Sequence, residues 1–329
     1  MYNNIQKYYP RFLFFAKVLI LVFAYRIISQ RIFEEGSYVF FLDQLDNLKA
    51  WAPWVILFLL AMTGLNWFIE VLKWQRLATL IQPTTFGQAL KQSLSSLTVS
   101  LITPNRIGEY GAKALYFKRK DRSRVILFNF IGNFSQMTTT VLFGMLGLWL
   151  VYESLPEMNL KELNWLNITL FVSTIGIGLV ILGKMWRGFY SKLISDLKSV
   201  PQKTHMHVFA LSLLKYLVFS HQFYFLLILF GVDLGYLECM SLLSLSYLIS
   251  SLIPGFVIFD WLVKGSVAVA VFGRFGVDEI LVLSITSVMW LLNFGLPSLI
   301  GTLYVMAFKP SSTESFSILE KQEKSPVQK

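Results

Sequence analysis

Two pairs of oppositely charged residues lie within apolar stretches of the sequence. Glu109 and Lys113 are four residues apart, and Asp260 and Lys264 repeat that spacing. This spacing puts an acid and a base one helical turn apart, so each pair can form an ion pair. An ionised residue at the centre of a bilayer costs roughly 2.5–3.5 kcal/mol on insertion scales, and such residues usually have a partner and a function. The two pairs are therefore the candidate chemistry of this chain.

Each pair follows a serine-rich apolar segment that is interrupted by a proline. The two copies are residues 93–117 and 241–272, and their prolines are Pro104 and Pro254. In each copy, serines stand eight and four residues before the proline: Ser96 and Ser100 in the first, Ser246 and Ser250 in the second. The repeated plan indicates two related segments that the rest of the chain holds in position.

Composition identifies the class of protein. The chain has 329 residues, of which 55% are hydrophobic and only 15% are charged, and its mean hydropathy is +0.59. A soluble domain carries about 25% charged residues, so these values indicate a polytopic membrane protein. The formal net charge of +10 comes from bases at helix ends, which favours topology signals and contacts with anionic lipids over nucleic-acid binding. A single cysteine, Cys239, excludes an internal disulfide and a multi-cysteine metal site.

The apolar runs predict six transmembrane helices in a membrane domain of residues 1–309. They are 12–28, 54–72, 125–152, 166–185, 208–230 and 280–308. The first run has no small-residue cleavage site, so we expect a retained helix and not a signal peptide. The polar tail, 310–329, is expected to be disordered and cytoplasmic.

Lys and Arg concentrate in alternate loops, which predicts a multi-pass protein of the cell membrane with both termini in the cytoplasm. Both flanks of residues 93–117 are then cytoplasmic. Its second arm, 105–117, covers only about 20 Å of a hydrocarbon core about 30 Å thick. We therefore expect a re-entrant helical hairpin with its tip at 103–105, and a second hairpin that enters from the outside.

Three crossings in each half make the two halves run in opposite senses across the membrane. The predicted fold is thus an all-α inverted repeat of six transmembrane helices plus two re-entrant hairpins, with repeat one at 12–152 and repeat two at 166–308. Transporters place substrate sites near the midplane at such a junction of broken helices.

The charged residues of the hairpins have two compatible interpretations. In one, each ion pair only stabilises its hairpin arm. In the other, a substrate site for a lipid headgroup is lined by Arg106, Glu109, Lys113, Asp260 and Lys264. No catalytic residues are assigned.

Other polar residues favour structural roles. Glu70 and Lys73 indicate a helix end with snorkelling bases. Inter-helix hydrogen bonds are predicted for Asn129, Asn133, Gln136 and Asn293. His205 and His207 come without further ligands, so no metal site is expected. The sequence also lacks a Gly-rich phosphate loop and a nucleophile elbow, and we expect no cofactor.

Three segments are similar to a known family. They are TPNRIGEYGAKALYF, from residue 103, IPGFVIFDWLVKGSVAVAVF, from residue 253, and LKWQRL at 72–77. The chain resembles the lysylphosphatidylglycerol synthase transmembrane-region family, also described as flippase-like. The family often has a Gly-rich turn before a Glu, where this chain has Asp260. The resemblance implies an integral membrane protein that moves a polar lipid between leaflets. Larger members carry a cytosolic aminoacyl-transferase domain; this chain ends about twenty residues after its sixth helix, so we expect it not to aminoacylate lipid itself.

The leading hypothesis is flippase-like translocation of a phospholipid or an aminoacyl-phospholipid. One alternative is a membrane-embedded lipid-modifying transferase with Glu109 or Asp260 as its acid or base. Another is a non-catalytic partner of an envelope-lipid enzyme. The expected partners are membrane phospholipids, a second copy of this chain and a separately encoded lipid-modifying enzyme; nucleic acid is not among them.

Overall fold

The structure is a computed structural model that describes residues 52–152 and 195–308, apart from 102, 104–105 and 254–256 and the side chains of 52 and 257–260. Several predictions lie outside the described residues: the helices at 12–28 and 166–185, the tail, both hairpin prolines and the side chain of Asp260. Throughout the described ranges the regular structure is helical.

The helices in chain order are α1 (Ala52–Ala78), α2 (Phe86–Ser100), α3 (Ile107–Leu115), α4 (Arg122–Val151), α5 (Gln202–Leu229), α6 (Tyr236–Ser251), α7 (Val257–Phe272), α8 (Glu279–Trp290) and α9 (Leu296–Met306). Short 3-10 turns precede α4 and follow α7, and a π-helical turn, Leu291–Gly295, joins α8 to α9.

Four helical segments are long and apolar enough to cross a membrane, namely Pro53–Ala78, Arg119–Val151, Gln202–Leu229 and Glu279–Met306. They correspond to the second, third, fifth and sixth predicted helices, and the chain is a multi-pass membrane protein. The helix predicted at 54–72 continues to Ala78, because no Gly or Pro stands between Leu72 and Pro83. On α4, exposed apolar side chains such as Leu142 and Trp149 are typical of a lipid-facing surface.

The remaining helices form two helical hairpins. In hairpin one (86–115), α2 packs against α3; in hairpin two (236–272), α6 packs against α7. The longest of these helices has 16 residues, which is a rise of about 24 Å and less than the thickness of a hydrocarbon core. Helix α2 begins with a capping box in which the side chains of Thr85 and Gln88 each bond the other's backbone N–H. All the serines of the two first arms except Ser251 are buried, which suits close packing of helices in a membrane.

The first arm of each hairpin packs on a spanning helix from the other half of the chain. Helix α2 packs on α9, and α6 packs on α4, while α1 packs along α5. Glycines make the first two contacts close. A Cβ added at Gly301 would overlap Leu94 and Thr98 of α2. A Cβ added at Gly147 would lie 2.5 Å from the carbonyl oxygen of Ser241 in α6 and close to Ser244.

The two glycine contacts involve matching positions of the hairpins. When Ser96 is aligned with Ser246, the positions equivalent to Leu94 and Thr98 are Ser244 and Leu248. Ser244 lies against Gly147, and Leu248 lies against Gly144 on the same face of α4. Both hairpins are therefore held on a partner helix through the same side of the first arm.

A proline explains the π-helical turn between α8 and α9. Pro297 has no backbone N–H and its ring clashes with the carbonyl of Asn293, which cannot keep an ordinary helical hydrogen bond. That carbonyl instead accepts a hydrogen bond of 2.9 Å from the indole N–H of Trp67 in α1. The wider turn directs Asn293 and Phe294 toward the space between the two hairpins.

Candidate headgroup site

The tip of hairpin one fixes the direction of α3. The hydroxyl of Thr103 donates to the carbonyl oxygen of Ser100 at 3.1 Å and accepts from the N–H of Gly108 at 2.9 Å. Arg106 has a φ of 58°, in the left-handed region. A Cβ at position 108 would lie 2.7 Å from the Thr103 hydroxyl oxygen, so only glycine allows this approach. Glu109 follows in the first turn of α3, where the helix dipole favours a carboxylate.

Glu109 is held between two bases. One carboxylate oxygen lies 2.8 Å from Nζ of Lys113 and the other lies 2.9 Å from the guanidinium of Arg106. Lys113 also donates to Oδ1 of Asn129 in α4 at 2.7 Å, and its Nζ lies 4.5 Å from the ring centroid of Trp74 in α1. Glu109 and Lys113 are only 2% and 1% exposed. The predicted one-turn ion pair is thus present, and it connects hairpin one to α1 and α4.

A second carboxylate also contacts two bases, here through one of its oxygens. Glu70 of α1 lies 2.8 Å from Nζ of Lys73 and 2.5 Å from Nζ of Lys215 in α5. Glu70 and Lys73 are both buried. Their interpretation as a helix end with snorkelling bases is therefore wrong: α1 continues beyond them, and the charges turn inward toward a base from the other half of the chain.

Amide side chains form a buried network between α1, α5 and the π-helical turn. The amide of Asn293 donates to Oε1 of Gln222 at 2.9 Å and its Oδ1 accepts from Asn66 at 2.8 Å. The amide of Gln222 donates in turn to the hydroxyl of Thr63 at 2.9 Å. The inter-helix hydrogen bonds predicted for Asn129 and Asn293 are confirmed. So are those of the other two amides, since Asn133 donates to Tyr110 and Gln136 to the carbonyl of Ser212.

Phe294 brings the two hairpins to a common point. The guanidinium carbon of Arg106, from hairpin one, lies 6.0 Å from the ring centroid of Phe294. Nζ of Lys264, from hairpin two, lies 5.2 Å from the same centroid. These distances are within the range of cation–π attraction. The ring therefore keeps one base of each hairpin at the same end of the space between them.

An open cavity of about 630 Å³ lies between the hairpins, which is the size of a typical ligand pocket. Of the five predicted site residues, Arg106 and Lys264 line it. Glu109 and Lys113 do not; they lie behind the wall, where Glu109 contacts Arg106. The side chain of Asp260 lies outside the described residues. The structure thus brings four of the five predicted residues to one region but gives only two of them access to the cavity.

The other wall of the cavity is apolar and reaches the lipid-facing surface. Phe130, Phe134 and Met137 of α4 line it, as do Leu252 and Ile253 at the tip of hairpin two. All five of these side chains are exposed. The cavity therefore has a charged interior and an apolar opening between α4 and hairpin two.

Two lining residues were not predicted as part of the site. They are the charged residues Glu70, which was assigned a structural role, and Lys215, which was assigned no role. An ionisable residue within a spanning segment is a functional candidate by default, and that signal would have included Lys215. Among the described residues, no three His, Cys, Asp or Glu side chains come together as a metal site would require.

Comparison with known proteins identifies a family. A family model described as the lysylphosphatidylglycerol synthase transmembrane region matches residues 20–301. No curated protein and no solved structure matches the chain significantly. The family match covers most of the chain and includes both hairpins and all the residues of the cavity described above.

Proposed function

The chain belongs to the lysylphosphatidylglycerol synthase transmembrane-region family, and from that premise we propose that it moves a polar lipid between membrane leaflets through the cavity between its hairpins. The observation that carries the proposal is the composition of that cavity. Charged side chains from both hairpins line its interior, and exposed apolar side chains line its opening. A lipid needs both surfaces, because its headgroup must cross while its acyl chains stay in hydrocarbon.

The packing supports an inverted repeat as the framework for this movement. The first arms of the two hairpins contact α9 and α4 through matching positions, and each of those helices belongs to the other half of the chain. In the proposed arrangement the hairpins enter from opposite membrane faces and meet near the midplane. The protein lies in the plasma membrane, with both termini in the cytoplasm. Rocking of one half against the other would then expose the cavity to each leaflet in turn.

The proposed path of the lipid follows the two surfaces of the cavity. The phosphate lies near Arg106 and Lys264, and the acyl chains leave between Phe134 and Leu252 toward the bilayer. Glu109 holds Arg106 and Lys113 in place and does not itself contact the lipid.

The contacts of Glu109 argue against a lipid-modifying transferase that uses Glu109 as its acid or base. An acid or base must reach its substrate, whereas Glu109 is buried between two bases outside the cavity lining. The two functions also differ in their products. A transferase changes the lipid chemically, which mass spectrometry of lipids from cells lacking the protein would detect; a translocator leaves total lipid chemistry unchanged.

A leaflet-resolved assay in liposomes tests the proposal. Purified protein is reconstituted with a lipid that is fluorescent on its acyl chain, and an impermeant quencher reports the fraction in each leaflet. Ser251→Trp places an indole at an exposed, cavity-lining position of hairpin two and is expected to slow translocation strongly. Ser266→Trp, at an exposed position of the same hairpin outside the cavity lining, is the matched control and should retain wild-type rates. Equal rates for all three proteins would reject the cavity as the path.

A further inference from the structure

Backbone carbonyls fix the direction of the buried amide network. The amide nitrogen of Gln222 donates to the carbonyl oxygen of Leu59 at 3.0 Å. That of Asn293 donates to the carbonyl oxygen of Met289 at 3.1 Å. A carbonyl cannot donate, so neither amide can be turned round without losing its hydrogen bond. Oδ1 of Asn293 therefore faces Asn66, whose nitrogen donates to it.

The oxygen of Asn66 is left without a partner as a result. Asn66 is only 4% exposed and lines the cavity. No group in the described part of the chain donates a hydrogen bond to its Oδ1. A buried acceptor without a hydrogen bond costs free energy, which a donor restores. The network thus ends in an unused acceptor at the cavity wall.

Two more side chains of the cavity wall share this property. The amide nitrogen of Gln136 in α4 donates to the carbonyl oxygen of Ser212 at 3.4 Å, which fixes its orientation in the same way. Its Oε1 makes no hydrogen bond within the described residues, and neither does the buried hydroxyl of Tyr247 in α6. With Asn66, these side chains come from three helices and line one cavity.

The amide network borders the proposed position of the phosphate. Asn66 bonds Asn293, and the next residue is Phe294. The ring centroid of Phe294 lies 6.0 Å from the guanidinium carbon of Arg106 and 5.2 Å from Nζ of Lys264. A lipid with its phosphate near those bases places the rest of its headgroup in the part of the cavity that the amides line.

Neutral acceptors in a partly enclosed site favour neutral donors. An amide oxygen accepts a hydrogen bond from a hydroxyl, which then loses little free energy on leaving water. An ammonium group loses far more, because its charge is desolvated and an amide supplies no opposite charge. A trimethylammonium or alkyl group has no hydrogen to donate and leaves the oxygens unpaired.

We propose that the cavity recognises a lipid headgroup that carries hydroxyl groups, as a glycerol or a sugar does, through Asn66, Gln136 and Tyr247. This inference rests on the proposed function, since it names the substrate class of the same cavity. Hydroxyls of the headgroup donate to the two amide oxygens and share a hydrogen bond with the Tyr247 hydroxyl. The recognition does not depend on the net charge of the headgroup.

Lipids matched in charge test the inference separately from transport. The protein in mild detergent is incubated with equimolar phosphatidylglycerol and phosphatidylpropanol of identical acyl chains, and the retained lipids are counted by native mass spectrometry. The two headgroups carry the same negative charge and differ only in the hydroxyls of glycerol. Wild type is expected to retain phosphatidylglycerol about tenfold over phosphatidylpropanol, since the second lipid leaves buried acceptors unpaired.

Tyr247→Phe is the sharpest variant, because it removes a hydroxyl that has no hydrogen bond within the described residues. Its thermal midpoint should match that of wild type, while its preference should fall to about threefold. Gln136→Leu is expected to lower the preference likewise. The matched control is Tyr224→Phe, which removes a hydroxyl outside the cavity lining and should keep the wild-type preference.

Two further arms identify the donor. Phosphatidylethanolamine and phosphatidylcholine have the same charge and differ in ammonium hydrogens, and this pair should show a weaker preference than the first. Free glycerol in large excess should not displace phosphatidylglycerol. A stronger preference in the ammonium pair would assign the acceptors to an amine, and displacement by glycerol would assign them to a soluble polyol. Either result would overturn the inference.

The first pair can overturn it as well. Equal retention of phosphatidylglycerol and phosphatidylpropanol, or retention of neither, would show that the hydroxyls are not recognised. A wild-type preference in Tyr247→Phe, a lowered thermal midpoint in that variant, or an equal loss of preference in Tyr224→Phe would reject the assigned residues.

The liposome assay separates this failure from failure of the proposed function. If both lipids of the first pair cross the bilayer at the same protein-dependent rate and are retained equally, translocation holds and hydroxyl recognition is wrong. If phosphatidylglycerol is retained selectively but crosses no faster than in protein-free liposomes, hydroxyl recognition holds and translocation is wrong.

Discussion

Replacing Glu109 by Gln is expected to destabilise the protein strongly although the side chain keeps its shape. The substitution removes the carboxylate that lies 2.8 Å from Nζ of Lys113. Lys113 is 1% exposed, and its remaining polar partner is the side-chain oxygen of Asn129. A glutamine can still accept a hydrogen bond from the ammonium, but it cannot neutralise the charge.

The size of the effect follows from the asymmetry of buried ion pairs. Removing one member of a buried pair costs about 3–5 kcal/mol, because the other charge is left uncompensated. For a chain of this size, one kcal/mol shifts the melting temperature by about 2 °C, so the loss corresponds to roughly 6–10 °C. Lys113→Met should cost less, since Glu109 keeps Arg106 at 2.9 Å.

The assay is the thermal midpoint of the folded monomer in mild detergent, followed by fluorescence-detected size-exclusion chromatography. Glu109→Gln/Lys113→Met removes both charges and should recover at least about half of the loss of Glu109→Gln. Glu279→Gln, an exposed carboxylate in the first turn of α8, is the control and should change stability by less than about 1 kcal/mol. The stabilising role of the buried pair would be refuted if the Glu109→Gln protein were as stable as this control. It would also be refuted if the double variant recovered none of the lost stability.

Two further predictions concern the packing between the halves of the chain. Gly301→Leu should abolish the monodisperse folded peak, because even a Cβ there overlaps the backbone of Leu94. The control is Gly64→Leu, where nothing lies within 4 Å of an added Cβ, and this variant should elute as wild type does. Equal elution of the two variants would contradict the close contact at Gly301. Asn293→Leu leaves the buried amide of Asn66 without its acceptor and should lower stability by about 1–3 kcal/mol in the same thermal assay. An unchanged thermal midpoint would show that the amide network contributes nothing to stability.

Features with a local cause could be predicted from the sequence. The ion pair of Glu109 and Lys113 follows from helical spacing alone, and four of the predicted transmembrane helices coincide with segments able to span a membrane. The break in hairpin one was predicted from Pro104. The close packing of the serine-rich arms α2 and α6 also has a local cause, since small residues allow helices to approach closely within a membrane.

Features that depend on how the two halves meet could not be predicted. Glu70 and Lys215 are 145 positions apart, and no local pattern tells which base a buried acid will contact. The orientation of α3 has the same cause. One face of α3, with Ile107 and Leu115, is exposed, but no local pattern shows which of its other sides points toward the cavity and which, with Lys113, points toward α4. Phe294 reaches both hairpins only because the π-helical turn widens the helix before Pro297.

Accessibility of single cysteines tests most directly whether the two hairpins enter from opposite membrane faces. In a Cys239→Ser background, one cysteine is placed on each flank of hairpin one, at Gly87 and Lys118, and on each flank of hairpin two, at Asp233 and Arg274; all four positions are exposed. An impermeant maleimide is applied to intact cells and to inverted membrane vesicles. Our account predicts that the first two cysteines react only in inverted vesicles and the second two only in intact cells. Reaction of all four from the same side, or of the two flanks of one hairpin from different sides, would contradict it.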